Sequence, residues 1–182
     1  MTSLDDPSLF QLTLNIIMRQ ATANDLPKLE WYGQYRHYRN LFRRTYEEQL
    51  KGRRSMLLAD LDGFPVGYIF IQWLANNKRI ADGKTRAYLY SFRVMNILQG
   101  RGLGTHIMRH TESMMIQQGY SWAIIAVAKE NHGALRLYQR LGYHIFADDP
   151  GQWSYEDHKG IRRNVNEPCW ILEKNLKLGY DI

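Results

Sequence analysis

From Val94 to Thr105 the chain reads VMNILQGRGLGT, and these twelve residues carry the strongest signal for its architecture. The apolar segment Ala87–Val94 predicts a strand, and the amphipathic segment from about Leu103 to Gln118 predicts a helix. Glycines let a backbone approach a ligand closely, and the N–H groups at a helix N-terminus favour an anion. A strand, a glycine turn and a helix in this order therefore predict a turn that binds a phosphate or pyrophosphate, with Arg101 adding charge.

Two common phosphate motifs do not fit these glycines. The dinucleotide fingerprint needs a glycine at its sixth position, where this chain has Thr105 or Ile107, depending on the starting glycine. The nucleoside triphosphate loop needs a lysine, which the turn lacks. The pattern that fits is Gln-x-x-Gly-x-Gly, formed by Gln99, Gly102 and Gly104.

A second motif follows the apolar run Trp122–Ala128, which predicts a strand buried on both faces. From Asn131 the chain reads NHGALRLYQRLGY, which contains the pattern Asn-x-x-Ala-x-x-Leu-Tyr and then Gly and an aromatic residue. The two motifs, in this order, resemble the coenzyme A-binding segments of the GNAT superfamily of acyl-coenzyme A-dependent N-acyltransferases. The resemblance covers about residues 16–174.

The resemblance implies a single domain over residues 1–182, of α/β class and α+β type. Its sheet is expected to be mixed and mostly antiparallel, with splayed central parallel strands and helices on both faces. The predicted element order agrees, since strands come first and then alternate with helices. Asp62-Gly63 indicates a hairpin turn between two strands. Residues 1–11 and 175–182 are expected to be terminal extensions.

Two helices are predicted before this hairpin. The pattern from Thr22 to Asp25 is typical of a capped helix start. A second helix is predicted from about Tyr38 to Lys51.

The resemblance implies which residues bind acetyl-coenzyme A (acetyl-CoA), the expected cosubstrate. The main chain near Phe92 and Val94 would pair with the pantetheine arm, and one N–H there would polarise the thioester carbonyl. Asn131 would bind the same arm, although its position also fits a plain helix N-cap. The full implied set is Phe92, Val94, Gln99, Gly100, Arg101, Gly102, Leu103, Gly104, Thr105 and Asn131.

The resemblance also implies that Tyr138 is the general acid, protonating the thiolate that leaves when an amine attacks the thioester directly. On helical spacing alone, Tyr138 fits a core position beside Ala134 and Leu137. The general base stays open, because the glutamate that many relatives place on a central strand is missing. The candidates are Tyr88, Tyr90, a water, Glu30 and Asp157.

The composition of the chain indicates whether nucleic acid, a membrane or a metal is a further partner. The net charge is +6, of which +5 lies between Lys28 and Arg54. No basic–aromatic signature of nucleic-acid binding accompanies it, and no apolar run approaches membrane-span length, so neither partner is predicted. The one cysteine, Cys169, indicates a reducing compartment such as the cytoplasm and is expected to be a packed strand residue. His106 and His110 have metal-site spacing without the glutamate of the zincin motif, so no metal is predicted.

The predicted function is acetyl transfer to a primary amine by a monomer or homodimer. The acceptor is expected to be a small amine or an amino-acid-like molecule, bound by about Asp25–Lys51, Leu74–Lys84 and Asp148–Pro168. The arginines of the first segment are expected to line this side and to favour an acidic acceptor group. A protein N-terminus or lysine as acceptor, a non-catalytic acyl-CoA-binding module and a nucleic-acid-binding protein are the alternatives.

Overall fold

The computed structural model describes residues 11–177. Of the predicted terminal extensions, 1–11 and 175–182, residues 1–10 and 178–182 lie outside the described residues, whereas Asn175 belongs to the last strand and Leu176 is buried. The helices are α1 Arg39–Leu50, α2 Leu103–Gln117 and α3 His132–Arg140. The strands are β1 Ile16–Gln20, β2 Arg54–Leu61, β3 Phe64–Gln72, β4 Arg86–Val94, β5 Trp122–Ala128, β6 His144–Asp149, β7 Gln152–Glu156, β8 Arg162–Asn166 and β9 Cys169–Asn175.

Seven strands form one mixed sheet in the order β1-β2-β3-β4-β5-β9-β6. Every neighbouring pair is antiparallel except β4 and β5, which are parallel. Strands β7 and β8 form a separate hairpin inside the polar segment between β6 and β9. The predicted mixed, mostly antiparallel sheet is confirmed.

Two apolar cores lie on opposite faces of the sheet, because alternate residues of each strand point to opposite sides. In β2, Leu57 and Ala59 pack with α2 and α3, whereas Met56 and Leu58 pack with Phe42 of α1. Helices therefore cover both faces, as predicted. Since both faces are dry, the middle of β2 and β3 is apolar throughout.

The parallel strands β4 and β5 separate before they end. Their pairing runs only as far as Leu89 opposite Ile125, although the strands continue to Val94 and Ala128. On its other side β4 carries a bulge, where Ser91 adopts a left-handed φ of 51°. The bulge turns β4 away from β5, and this produces the predicted splay.

The helix predicted to start at Thr22 is absent. Short 3-10 turns occupy Ala23–Asp25 and Lys28–Glu30 instead. The predicted capping contact does form, since the backbone N–H of Thr22 donates to Asp25 Oδ2 at 2.7 Å. A helix cannot continue because Trp31 has a φ of 43° and its indole N–H donates to the Pro65 carbonyl at 2.8 Å. Burial of this tryptophan overrides the local helix signal.

The second predicted helix is confirmed as α1, within a residue at each end. Gln49 docks its last turn, donating to the Ala21 carbonyl at 2.9 Å and accepting from the Met56 N–H at 2.7 Å. The predicted hairpin turn is also confirmed, since Asp62 and Gly63 both have positive φ, 49° and 82°. That pair of conformations matches the right-handed twist of the two strands.

Candidate active site

Two clefts, of about 810 and 820 Å³, lie on the two faces of the sheet and meet where β4 and β5 separate. We call them the α2-side cleft, bounded by α2 and α3, and the α1-side cleft, bounded by α1, the β3–β4 loop and the β7–β8 hairpin. The residues that line both clefts are Tyr90, Ser91, Arg93, Ala126, Ala128 and Glu167. A molecule in one cleft can therefore meet a molecule in the other at the splay.

The glycine turn forms one end of the α2-side cleft. Gly100 and Gly102 have left-handed φ values of 71° and 85°, which few other residues adopt without strain. The Gln99 side chain holds the turn together, donating from Nε2 to the Val94 carbonyl at 2.9 Å and to Asn96 Oδ1 at 3.1 Å. This contact gives the predicted Gln-x-x-Gly-x-Gly pattern a structural reason.

Helix α2 begins directly after Gly102, so its N-terminus points at the cleft. The first N–H groups of a helix have no partner within the helix and form its positive end. Gly104 lies in the first turn beside the cleft wall, and a Cβ there would be in ordinary contact with Phe92 at 3.4 Å and with Leu137 at 3.6 Å. The geometry suits a phosphate group held by backbone N–H groups.

Eight of the predicted coenzyme-binding residues line the α2-side cleft. Arg101 and Leu103 are not among its lining residues. The Leu103 side chain packs against the apolar core, which leaves only its backbone for the cleft. Arg101 is exposed and its Nε donates to the Ile97 carbonyl at 3.1 Å, so in this conformation it supports the turn.

Asn131 caps helix α3 beside the same cleft. Its Oδ1 accepts a hydrogen bond from the Ala134 N–H at 3.1 Å. The helix-cap interpretation of Asn131 is therefore confirmed, while binding of a pantetheine arm stays a prediction. The two roles are compatible because the Asn131 side chain also lines the cleft.

Tyr138 projects from α3 into the α2-side cleft near the splay. Only 4% of its surface is exposed, and its ring lies 6.3 Å from that of Phe92 and 6.0 Å from that of Tyr143. Burial, and after it the nearby Tyr88 phenol, raise the pKa of Tyr138 far above its ordinary value. The phenol is therefore protonated at neutral pH, as a proton donor must be.

The α1-side cleft draws on all three segments predicted to bind the acceptor. Its far wall is attached to α1, since the Tyr155 ring of the β7–β8 hairpin lies 5.0 Å from the Tyr38 ring. Asn40 Nδ2 also donates to the Asp157 carbonyl at 2.6 Å. Its charged lining residues are Arg54, Arg79, Arg93, Asp148, Asp149 and Glu167.

One expectation about this cleft is wrong. Of the arginines between Lys28 and Arg54, only Arg54 lines it. The others point elsewhere: Arg36 and Arg39 pair with Glu30, at 4.0 and 2.6 Å. Among the residues of helix α1 that the structure describes, Leu41 lines the cleft, next to Tyr38 at the helix N-terminus, while Arg43 and Arg44 are exposed to solvent.

A model of the acetyltransferase (GNAT) family matches residues 16–143, which is more than half of the chain. The chain belongs to the GNAT acetyltransferase family. GNAT membership places it among the acyltransferases. It also explains why the glycine turn and the Asn131–Tyr143 segment flank one splayed pair of strands.

Individual GNAT relatives resemble the chain more weakly in sequence. An uncharacterised N-acetyltransferase of Methanocaldococcus jannaschii is 26% identical over 149 residues, covering 74% of this chain. The match spans 63% of that relative, which is less than two thirds of its length.

Solved GNAT structures share the fold. The ribosomal-protein-S18-alanine N-acetyltransferase from Escherichia coli has a TM-score of 0.67 at 17% identity, covering 92% of this chain and 99% of that one. Arabidopsis thaliana NAA60, in complex with acetyl-CoA, has a TM-score of 0.65 at 14% identity, covering 90% and 99%. Arabidopsis thaliana Naa50, in complex with the bisubstrate analogue CoA-Ac-MVNAL, has a TM-score of 0.63 at 16% identity, covering 88% and 98%.

The two acidic candidates for the general base of this GNAT chain are engaged elsewhere. Glu30 accepts from both Arg39 Nε and Nη2, at 2.6 and 2.9 Å. Burial alone would raise the pKa of Asp157, but hydrogen bonds from Arg163 and two backbone N–H groups lower it to about 2. Neither carboxylate lines a cleft.

The two tyrosine candidates do line the α1-side cleft. Burial raises the pKa of both Tyr88 and Tyr90, so each phenol is neutral at neutral pH. Tyr90 also accepts a hydrogen bond from Arg54 Nη1 at 2.6 Å. A neutral phenol is a poor proton acceptor, which disfavours both as bases in this conformation.

Sequence reasoning missed Glu167 and Arg93, which the fold brings to the splay. Glu167 lies just before β9 and reaches the site only because β9 pairs with β5. Arg93 could have been noticed, because it is a charged residue within a strand that is otherwise apolar or aromatic near its end. Glu167 carried no local signal.

The structure also locates the residues weighed for other chemistry. His106 and His110 are exposed on α2. Within residues 11–177, no three His, Cys, Asp or Glu side chains gather in a way that could hold a metal ion. No helix in the same range is long and apolar enough to span a bilayer. Cys169 lies in β9 at the α1-side cleft, and burial raises its pKa.

Proposed function

We propose that the protein is an N-acetyltransferase that moves an acetyl group from acetyl-CoA to a primary amine by direct attack in a ternary complex. The observation that carries this proposal is the meeting of two clefts at the unpaired ends of β4 and β5. One cleft has a phosphate-binding turn and a buried proton donor. The other, on the opposite face, is open to a second substrate.

The α2-side cleft fits the cosubstrate. Acetyl-CoA supplies the acetyl group as an activated thioester. Backbone N–H groups from Gly100 to Thr105 would hold its pyrophosphate, because they combine free donors with the positive end of α2. The main chain near Phe92 and Val94 is not paired with β5 and would pair with the pantetheine arm, together with Asn131. A backbone N–H there would also polarise the thioester carbonyl.

Tyr138 is the proposed general acid, because its neutral phenol lines the cleft next to the splay. Glu167 is the proposed general base, acting directly or through a water. It lines both clefts, and among residues 11–177 no cation pairs with it. Tyr88 and Tyr90 are less suited because burial raises the pKa of each phenol. Glu30 and Asp157 are less suited because Arg39 and Arg163 pair with them.

The acceptor is proposed to be a small amine or an amino-acid-like molecule. The α1-side cleft carries charges of both signs and is closed on one side by the hairpin packed on α1. A protein N-terminus is the second candidate, because several solved structures with the same fold act on protein alanine or were crystallised with a peptide-based analogue.

The test combines binding with turnover. Calorimetry would measure acetyl-CoA affinity, and release of free coenzyme A would be followed with single amino acids, small amines and peptides. Release with small acceptors supports the proposal. Release of coenzyme A with peptides alone would indicate a protein N-terminus as the acceptor. Tight binding of acetyl-CoA without coenzyme A release in the presence of any acceptor would indicate a non-catalytic acyl-CoA-binding module.

A further inference from the structure

Arg93 is a cation without an anion. Its guanidinium carbon lies 4.5, 5.2 and 5.6 Å from the ring centroids of Tyr35, Tyr38 and Tyr68. Its Nη1 is buried and makes no hydrogen bond. Among residues 11–177, no carboxylate lies within 4.0 Å of it, whereas buried charges are usually paired. Tyrosine rings attract the cation but do not neutralise it.

The position of Arg93 points to a ligand as its partner. The side chain lines both clefts, at the splay where the acceptor amine must arrive. Negatively charged side chains lie in the same region, since Glu167 also lines both clefts and Asp149 lines the α1-side cleft. Neither carboxylate pairs with Arg93.

Three arginines and three carboxylates line the α1-side cleft, and one of these carboxylates, Asp148, pairs with Lys129 at 3.3 Å. A cleft that carries charges of both signs favours a zwitterion over a simple amine or a polyanion. A phosphate group carries nearly two negative charges and would be repelled by Asp149 and Glu167. A carboxylate carries one charge and has the planar, two-oxygen shape that a guanidinium fork matches.

We propose that Arg93 binds the carboxylate of the acceptor and that the acceptor is an amine that carries a carboxylate, such as a free amino acid. This inference rests on the proposed function for the role of the cleft. The acceptor's ammonium group lies on the Glu167 side, where it loses its proton before attack. The α-carboxyl group of a protein's first residue is part of a peptide bond, so a protein N-terminus has no α-carboxylate, and the inference separates free amino acids from peptide acceptors.

Binding of a matched pair of probes tests the inference without any acetyl transfer. Calorimetry would compare 3-phenylpropionate with 3-phenylpropanamide on the full-length protein saturated with coenzyme A. We expect the carboxylate to bind about tenfold or more tightly than the amide, because one charge-assisted hydrogen bond contributes on that scale. In Arg93→Gln the two probes should bind equally, and Arg93→Lys should recover part of the preference.

Controls keep the result interpretable if Arg93→Gln destabilises the fold. Arg43→Gln changes an exposed arginine of α1 and should keep the preference. Unchanged acetyl-CoA affinity would verify that each variant is folded. Equal binding of the two probes by the wild type, or a preference that survives Arg93→Gln, would overturn the inference.

Turnover then separates the inference from the proposed function. Coenzyme A release would be compared for L-phenylalanine and L-phenylalaninamide, with kcat/KM expected to favour the free acid in the wild type only. Transfer that ignores the carboxylate would refute the role of Arg93 and leave the acetyltransferase proposal standing. If the protein preferred the carboxylate probe but transferred acetyl to no amine, the role of Arg93 would stand and the acetyltransferase proposal would be refuted.

Discussion

Tyr138 meets two demands at one position. Its ring packs between Phe92 and Tyr143, as its place on the apolar side of α3 predicts. Its phenol also lines the α2-side cleft and is held neutral by burial. Packing and proton donation are compatible here because the hydroxyl lies at the end of a ring that is otherwise enclosed. The two roles can be separated by removing the hydroxyl alone.

Tyr138→Phe is expected to lower kcat by about 100-fold, the lower end of what a general acid contributes. Acetyl-CoA affinity should change little, because the ring and its packing remain. Steady-state kinetics and calorimetry would measure the two quantities. Tyr120→Phe, at a half-buried tyrosine packed on Trp73, is the matched control. Unchanged turnover in Tyr138→Phe would remove this residue from the mechanism.

Glu167→Ala is expected to lower kcat by about 100-fold without weakening acetyl-CoA binding, because the carboxylate accepts the proton of the amine. Added formate should restore part of the rate, since a small carboxylate can occupy the vacated space. A merely structural role would not respond to formate. Glu47→Ala, at an exposed glutamate of α1, should show neither effect. Full activity of Glu167→Ala would exclude Glu167 as the general base and leave a water or a tyrosine as the candidate.

At the scale of elements, the β7–β8 hairpin positions Glu167. The N–H of Glu167 donates to the Gly151 carbonyl at 3.1 Å. Gly151 has a φ of 66°, and a Cβ placed there would overlap the Glu167 carbonyl. The approach of these two main chains fixes where the chain enters β9, and so where the carboxylate points.

Gly151→Ala should therefore move Glu167 and lower kcat more than it lowers acetyl-CoA affinity. Gly160→Ala is a matched control, because Gly160 has a similar φ of 76° in the same hairpin with open space around its Cβ position. The cost of positive φ, about 1 kcal/mol, is then common to both variants. Kinetics and thermal unfolding of the pair would isolate the close approach. Equal losses of kcat in both would refute the positioning role.

A partly buried ion-pair network joins distant parts of the whole molecule. Arg19 bridges Asp25 and Asp60, at 2.7 and 2.8 Å, and so joins β1, β2 and the 3-10 turns. The hydrogen bond from Arg19 lowers the pKa of Asp25 far below its ordinary value, against the opposing effect of burial. A lowered folded-state pKa gives stability that is present above the unfolded-state pKa, about 3.9, and is lost at lower pH.

Asp25→Asn should destabilise the protein at pH 7, and its difference from the wild type should shrink as pH falls below about 4. Urea unfolding between pH 7 and pH 3 would measure both free energies. Asp148→Asn, at an exposed aspartate that pairs with Lys129 at 3.3 Å, should lower stability little at any pH. A difference that stays constant with pH would contradict the linkage.

Several arginines of the Lys28–Arg54 segment, which carries most of the net charge of +6, are engaged by other groups within the described residues. Arg36 and Arg39 are drawn to Glu30, and Arg54 points into a cleft. We expect no measurable binding of duplex DNA or single-stranded RNA at about 150 mM salt, where long-range surface attraction is screened. Fluorescence anisotropy would measure it, and tight binding with a steep salt dependence would contradict the expectation.

Most of the fold could be predicted from local signals. Strands β4 and β5 and helices α1 and α2 lie within two residues of their predicted bounds, because periodicity and turn residues act locally. The helix expected at Thr22 failed for a non-local reason, since Trp31 is held by the Pro65 carbonyl across the chain. The prediction that arginines line the acceptor cleft was wrong for the same kind of reason, because Arg36 and Arg39 form ion pairs with Glu30.

The two motifs were enough to predict the family, the glycine turn and the cleft at the splay, because they encode backbone conformations and neighbouring elements that need little else. Which charges lie at the splay depends on how distant parts of the chain pack together. Arg93 and Glu167 are separated by more than seventy positions in the chain. They become neighbours of one cleft because β9 inserts beside β5 in the sheet. Electrostatic partnerships depend on distance in space, and no local pattern in the sequence records that distance.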